Sequence, residues 1–211
     1  MILSDTQSQI RDLARDFARE RLAPGAAQRD RTHSFPRDEL KEMGELGLLG
    51  MLVPEAYDGS DTGTVAYAAA LEEIAAGDGP CSTIMSVHSS VGCVPILKFG
   101  NEEQKQRFLP KLATGEWIGG FALTEPQAGS DASNLRTRAR RDGDHYVLDG
   151  AKQFITSGKN GQVIIVFAVT DAAAGKKGIS AFIVPTETPG YEVIRADHKL
   201  RLPASDTCTI A

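Results

Sequence analysis

The sequence is poor in the residue patterns that announce most chemistries. Its three cysteines, Cys81, Cys93 and Cys208, lie far apart and form no CxxC pair. That argues against a disulfide framework or a thiolate zinc site, and for free thiols in a reducing cytosol. The four histidines (His33, His88, His145, His198) are equally scattered, and HExxH is absent, so no metal is expected. No GxGxxG follows a strand and no Walker motif occurs, which leaves Rossmann and P-loop phosphate sites unsupported. GxSxG is missing too, which counts against an α/β-hydrolase. The N-terminal MILSDTQSQIRDLARDF lacks the positive segment and apolar core of a secretion signal. There is no internal repeat and no low-complexity linker.

Long hydrophobic runs are scarce as well. Residues 79–97 carry no charge when His88 is neutral, but they include Ser82, Thr83, Ser86, Ser89, Ser90 and Pro95. A membrane span needs ~20 predominantly apolar residues, so a buried central helix is the better reading and no membrane span is expected. Ile84, Val87, Val91 and Val94 would form its buried face, with His88 on or beside it as a satisfied core histidine. The net charge of −5 gives no general attraction to nucleic acid or anionic membrane. At 41% hydrophobic and 24% charged residues the composition is that of a soluble globular chain. Its 211 residues suit one or two domains, at roughly 100–200 residues each.

The first half reads as helical. Ser4 and Gln7 fit a capping box, and Ile10, Leu13, Ala14, Phe17 and Ala18 recur at helical spacing. Pro24-Gly25 is expected to end that helix. A short helix follows Pro36 with Leu40, Met43 and Leu46 inward. Another covers about Thr64 to Ala76, with Tyr67, Leu71 and Ile74 on one side. Asn101, with Gln104 three residues on, caps a further helix carrying Phe108, Leu109 and Leu112. Gly115 closes this half. Near Trp117 the hydrophobic period changes from 3.6 to 2, which places a domain boundary between residues 1–117 and 118–211.

The second half reads as β. Leu135, Thr137 and Ala139 alternate with Arg136, Arg138 and Arg140. These arginines, with Arg141, suit a solvated strand face rather than a nucleic-acid site. Asp142-Gly143 signals a hairpin and Asp149-Gly150 a second turn. Strands are expected at Lys152 to Thr156, Val163 to Val169, Gly178 to Val184 and Tyr191 to Ile194. The expectation is an α+β multidomain chain: an all-α helical domain followed by an antiparallel β-barrel or sandwich.

The least ordinary stretch is FALTEPQAGSD, Phe121 to Asp131. An apolar strand runs into Thr124-Glu125-Pro126 and then a turn in which Gly129 tolerates positive φ. Such a turn can aim backbone N–H groups and the Thr124 and Ser130 hydroxyls at a planar polar edge and a phosphate. Taken alone, the stretch also fits an ordinary strand leaving through a Gly-Ser-Asp turn. With QFITSG at Gln153 to Gly158, it closely resembles the paired flavin-binding signatures of the acyl-CoA dehydrogenase family. The resemblance spans essentially the whole chain, including ILKFGNEEQK at Ile96 to Lys105 and ASDTC near the end.

The resemblance implies an N-terminal helical domain, a middle β domain and a C-terminal helical domain, FAD as cofactor, and a homotetramer at full length. Phe121, Ala122, Leu123 and Thr124 would line the flavin ring. Gly129 and Ser130 would meet the FAD diphosphate, with Ser130 also at the acyl-CoA substrate. Phe154 would take the place of a common tryptophan against the flavin, with Ile155 and Thr156 beside it. The implied reaction is α,β-dehydrogenation of an acyl-CoA thioester: a base takes the α-proton while the β-hydrogen leaves as hydride to the flavin. The base is expected in the C-terminal helical domain. The chain ends at Thr209-Ile210-Ala211 inside an expected strand, so no catalytic residue is assigned here, and Glu125 is expected to be structural. An electron-transfer flavoprotein or similar acceptor follows from the same resemblance; the expected cytoplasmic location rests on the scattered thiols and the missing secretion signal. Alternatives are a related flavoenzyme, such as an acyl-CoA desulfinase or nitroalkane oxidase, and a truncated non-catalytic remnant. The sequence departs from the family pattern at Asn134, Phe154, Arg201 and Pro203. Arg201 stands at an expected glycine and puts the backbone near the last strands in question.

Overall fold

A computed structural model describes residues 2–211, which divide into two compact units. The first contains the chain up to Gly119 together with His198–Ser205. The second contains Gly120–Asp197 and Asp206–Ala211. The expected boundary at 117/118 lies two residues from this break, but residues 198–205 group with the helical unit rather than the β unit.

In the helical unit, α1 (Asp5–Phe17) starts at the expected box: the Ser4 hydroxyl accepts the Gln7 N–H, and the Gln7 side chain accepts the Ser4 N–H. Ala14, Phe17 and Ala18 are buried, whereas Leu13 is half exposed. The chain does not stop at Pro24-Gly25. A π-helical segment, Ala18–Leu22, leads directly into α2 (Ala23–Thr32), with Pro24 in its first turn. Pro24 follows the π segment directly, where the widened turn accommodates a residue without an N–H, so the break expected from Pro-Gly does not form. The next helices are α3 (Arg37–Glu45) and α4 (Gly63–Gly77), the latter packed along α1. Leu40 and Met43 are fully buried as expected; Leu46, just past the last turn of α3, faces out.

Buried charge knits three of these elements. Arg29 of α2 donates to Asp78 at 2.7 and 3.1 Å, to Glu39 of α3 at 2.6 Å and to the Leu22 carbonyl at 2.6 Å. Asp78 in turn caps the following helix by accepting the Cys81 N–H at 3.0 Å.

That helix, α5 (Gly79–Val87), continues through a π-helical segment (His88–Cys93) into α6 (Val94–Phe99). Its 21 residues are long and apolar enough to cross a membrane by length and composition, yet half of its most apolar stretch is buried within the protein. The buried stripe is Cys81, Ile84, Met85, His88, Ser89, Gly92, Cys93 and Ile96. Val87, Val91 and Val94, expected inward with Ile84, are only partly buried. The inward stripe follows His88, Gly92 and Ile96 instead of the valines, and small residues take its tightest contact. A Cβ on Gly92 would stand 3.3 Å from the Gly119 Cα.

His88 is fully buried and fully used. Its Nε2 lies 3.1 Å from the Leu112 carbonyl, and its Nδ1 accepts the Gly119 N–H at 3.0 Å. This pairing requires a neutral ring with the proton on Nε2. Burial pushes its pKa down to about 4, against the bond to Leu112. The last helix, α7 (Glu102–Ala113), has the expected Asn101–Gln104 box and buries Phe108, Leu109 and Leu112.

The second unit holds two sheets. Strands β1 (Gly119–Ala122), β2 (Arg138–Asp142), β3 (His145–Asp149), β5 (Val163–Val169) and β6 (Ile179–Pro185) form one, in the order β1-β5-β2-β3 with β6 also on β5. Strands β4 (Lys152–Thr156), β7 (Val193–Ala196) and β8 (Thr207–Ile210) form the other, in the order β4-β8-β7. The expected antiparallel barrel is not found: neither sheet closes, and β2 meets β5 in parallel at Arg138 and Val169. Residues 143–162, which include β3 and β4, separate β2 from β5, and a connection of that length can bring β5 alongside β2 in the same direction. The 142–145 hairpin forms with Gly143 at φ 59, and Ala122, Ile155, Ile164, Val166, Cys208 and Ile210 make the core.

Candidate functional site

Two segments of the β unit converge. After β1, residues 120–124 run beside β4. The Gln153 N–H donates to the Thr124 carbonyl at 2.8 Å, and the Lys152 ammonium donates to the Leu123 carbonyl at 3.1 Å. A Cβ on Gly120 would come within 2.8 Å of the Thr156 carbonyl, so only glycine lets the two backbones approach this closely. Phe121, Ala122, Leu123 and Thr124 are thereby brought together with Phe154, Ile155 and Thr156. Phe121 also packs on Phe167 of β5, ring centroids 5.1 Å apart.

Phe154 has an unusual position. Lys152 pairs with Ile210 and Ile155 with Cys208, so β4 holds one more residue than β8 between those pairs. The bulge places Phe154 at φ 61 with its side chain 60% exposed. A bulky residue in the left-handed region is strained, and bulges that re-aim side chains gather at functional sites. Ile155 on the opposite side is buried in the core, as strand alternation requires. Ser157 is also left-handed, at φ 59, and its buried hydroxyl has no hydrogen-bond partner.

Glu125 anchors the turn that follows. The residue is buried, and its carboxylate accepts four hydrogen bonds: from the Lys152 ammonium (2.8 Å), the Thr137 N–H (3.1 Å), the Arg136 N–H (2.7 Å) and the Gln127 amide (2.6 Å). Burial alone would raise its pKa, but the bonds from Lys152, Thr137 and Arg136 outweigh it and hold the carboxyl at about 2. Burial pulls the Lys152 ammonium down while Glu125 raises it. Every group around Glu125 is a donor, so the carboxylate form alone satisfies the shell, and Lys152 stays charged opposite it. A carboxylate so committed has no basicity left for a proton-abstracting role.

The tight turn lies one step earlier than Gly-Ser-Asp. Glu125 and Ala128 exchange two backbone hydrogen bonds of 3.0 Å across Pro126-Gln127, and Gly129 does not adopt positive φ. The turn chemistry at 125–128 is set by proline and the buried carboxylate, which removes the expected need for a left-handed glycine. Gly129 and Ser130 instead stand exposed on the loop beyond, and a Cβ on Gly129 would meet nothing within 4 Å. Asn134 closes this loop: its side-chain amide donates to the Gln127 carbonyl at 3.2 Å, and Gln127 returns a bond to the Asn134 carbonyl at 3.3 Å.

Near the chain end, Asp206 holds the 157–160 turn by accepting the Lys159 N–H at 2.8 Å and the Asn160 amide at 3.3 Å. The special backbone expected at Arg201 falls on Leu202, at φ 55, whose side chain lies against Gly79 within the helical unit. Lys152, expected only as the first residue of a strand, and Gln153, expected only as the start of QFITSG, have no site role in the sequence reading. Their only local signal is a lone cation opening an otherwise uncharged strand.

This set suits a planar ring with polar edges that carries a phosphate tail. Phe154 presents an exposed aromatic face on a fixed bulge, Ser157 an unpartnered buried hydroxyl, and Gly129 open space for close approach. Among the described residues no group of three His, Cys, Asp or Glu side chains could hold a metal ion.

Comparison with known proteins gives consistent matches. Residues 4–116 match the family model for the acyl-CoA dehydrogenase N-terminal domain, and residues 120–211 match the model for the acyl-CoA dehydrogenase middle domain. An acyl-CoA dehydrogenase of Bacillus subtilis is 46% identical over 207 residues, covering 98% of this chain and 55% of that protein. The structure of butyryl-CoA dehydrogenase from Megasphaera elsdenii superposes with a TM-score of 0.94 at 37% identity, covering 100% of this chain and 56% of that one. A glutaryl-CoA dehydrogenase from Mycobacterium smegmatis in complex with FADH2 gives 0.91 at 40% identity, covering 99% and 52%. The chain thus spans about half the length of the curated relatives it matches.

Proposed function

Because this chain belongs to the acyl-CoA dehydrogenase family, we propose that it supplies the flavin-facing half of a site for α,β-dehydrogenation of acyl-CoA thioesters. One observation carries the reading: the 121–125 and 152–156 segments are bonded side by side, with Phe154 held outward on a strained bulge. FAD, when bound, supplies the two-electron acceptor.

The chain's own residues bind and orient. Phe121, Ala122, Leu123 and Thr124 offer backbone groups and one hydroxyl to the ring edge. Phe154 stacks on the ring face, with Ile155 anchoring it from the core, and Thr156 donates to the ring edge. Donors at that edge stabilise the reduced, more negative ring. Gly129 and Ser130 take the diphosphate, where an exposed loop without a Cβ lets phosphate oxygens approach the backbone. Ser130 also faces the acyl-CoA. No carboxylate of this chain is assigned as the base. The same reading assigns the protein to fatty acid metabolism, with an electron-transfer flavoprotein or similar acceptor, a homotetrameric full-length assembly and a cytoplasmic location.

The test is the visible absorption spectrum of the 211-residue chain after incubation with FAD and desalting. A retained flavin spectrum that is lost in Thr124→Ala/Phe154→Ala supports the half-site. A folded but colourless wild-type chain overturns the reading that these segments suffice to hold flavin.

A further inference from the structure

Lys152 and Glu125 are the most deeply buried ion pair of the β unit, with side chains 3% and 2% exposed. Neither touches solvent chemistry, and neither has a part in the proposed reaction. Burying two charges costs several kcal/mol each before their attraction is counted, and an apolar pair of similar volume is often at least as stable. Bulk stability is therefore a poor account of this pair. Its bonds point elsewhere. Glu125 gathers the N–H groups of Arg136 and Thr137 and the Gln127 amide, so it templates the whole loop that carries Gly129 and Ser130. Lys152 links that template to β4, and its remaining reach goes to the Leu123 carbonyl. The neighbouring Gln153 N–H binds the Thr124 carbonyl, and Phe154 follows at the bulge.

We propose that Lys152 and Glu125 form a positioning pair that sets the spacing between the 121–124 backbone and the Phe154 bulge, and so the width of the slot into which the flavin ring fits. The inference rests on the proposed flavin half-site for its purpose, but its geometry is a property of the chain without cofactor. Both residues act through others and touch no reacting atom. Lysine suits the role because its ammonium can serve a carboxylate and a carbonyl in different directions at once.

The test compares wild type, Lys152→Met, Lys152→Arg and the double variant Lys152→Met/Glu125→Gln, all as the 211-residue chain. The double variant leaves no unpaired buried charge but sets one amide N–H against the donor shell, so its global stability is read by urea unfolding beside the exchange. It still lacks the donor to Leu123. Amide hydrogen exchange without flavin is read first. In the double variant, peptides covering 121–128 and 150–158 are expected to exchange roughly tenfold faster, while β5 and β6 keep wild-type protection. Lys152→Arg should recover part of the difference. FAD retention and the visible band shape of bound flavin are read second and should follow the exchange data. Uniformly faster exchange across the β unit, or unchanged exchange at 121–128 and 150–158, would overturn the positioning role. Exchange is measured without flavin, so it decides the pair's role even if the wild-type chain holds no FAD, a result that would sink only the cofactor reading.

Discussion

At the residue scale, two positions separate structural need from ligand need. Phe154 is left-handed and largely exposed, so folding alone gives no reason for a bulky side chain there. Phe154→Gly should relieve the backbone and stabilise the apo chain by about 1 kcal/mol, while weakening flavin retention. Urea unfolding and FAD titration on one preparation check both halves. A variant that is less stable and still flavin-competent would mean that the side chain serves packing. Gly129 is the converse case. Its backbone is unstrained and its Cβ direction is open. Gly129→Ala should change stability by no more than about 0.5 kcal/mol, yet lower FAD affinity if the diphosphate lies against it. An alanine variant with wild-type affinity removes Gly129 from the site.

At the element scale, the 79–99 helix carries a buried titratable group whose effect has a defined pH window. The His88 pKa is lowered from 6.5 to about 4, so the unfolded chain binds the extra proton between those values. Stability from the neutral ring is complete above 6.5 and is lost as pH falls toward 4, by up to about 3 kcal/mol. Glu125 acts in a lower window: its stabilisation is complete above 4.5 and is lost as pH falls toward about 2. Denaturant midpoints between pH 7 and pH 4.5 therefore report His88 ahead of Glu125. His88→Gln should be less stable at neutral pH and nearly flat across that range. An unchanged slope in the variant would place the titrating group elsewhere.

At the scale of the whole molecule, a ligand that binds only the folded chain must shift unfolding by mass action. FAD at about 100 times its dissociation constant adds about 2.7 kcal/mol, which corresponds to roughly 5–10 °C in the unfolding midpoint for a chain of this size. Differential scanning fluorimetry with and without FAD reads the shift, and Thr124→Ala/Phe154→Ala should blunt it. A midpoint insensitive to FAD would show that the half-site alone does not bind the cofactor.

Features encoded by neighbouring residues were readable without the fold. The boxes at Ser4 and Asn101, the Asp142-Gly143 hairpin and the apolar run of β5 are local signals, and each appears at its expected place. The paired segments at 121–131 and 153–158 were legible as a candidate site because their residue order is distinctive. Features that depend on distant partners emerge only when the chain is packed. Pro24 continues a helix because a π segment precedes it. The buried face of the 79–99 helix follows the Gly92–Gly119 approach rather than the valine spacing. The parallel contact of β2 with β5, the left-handed Phe154 and the Lys152–Glu125 pair each join residues far apart in the chain. A lysine and a glutamate 27 residues apart look solvated in a sequence. Desolvation and a complete shell of donors, which only packing supplies, turn them into the fixed centre of the site.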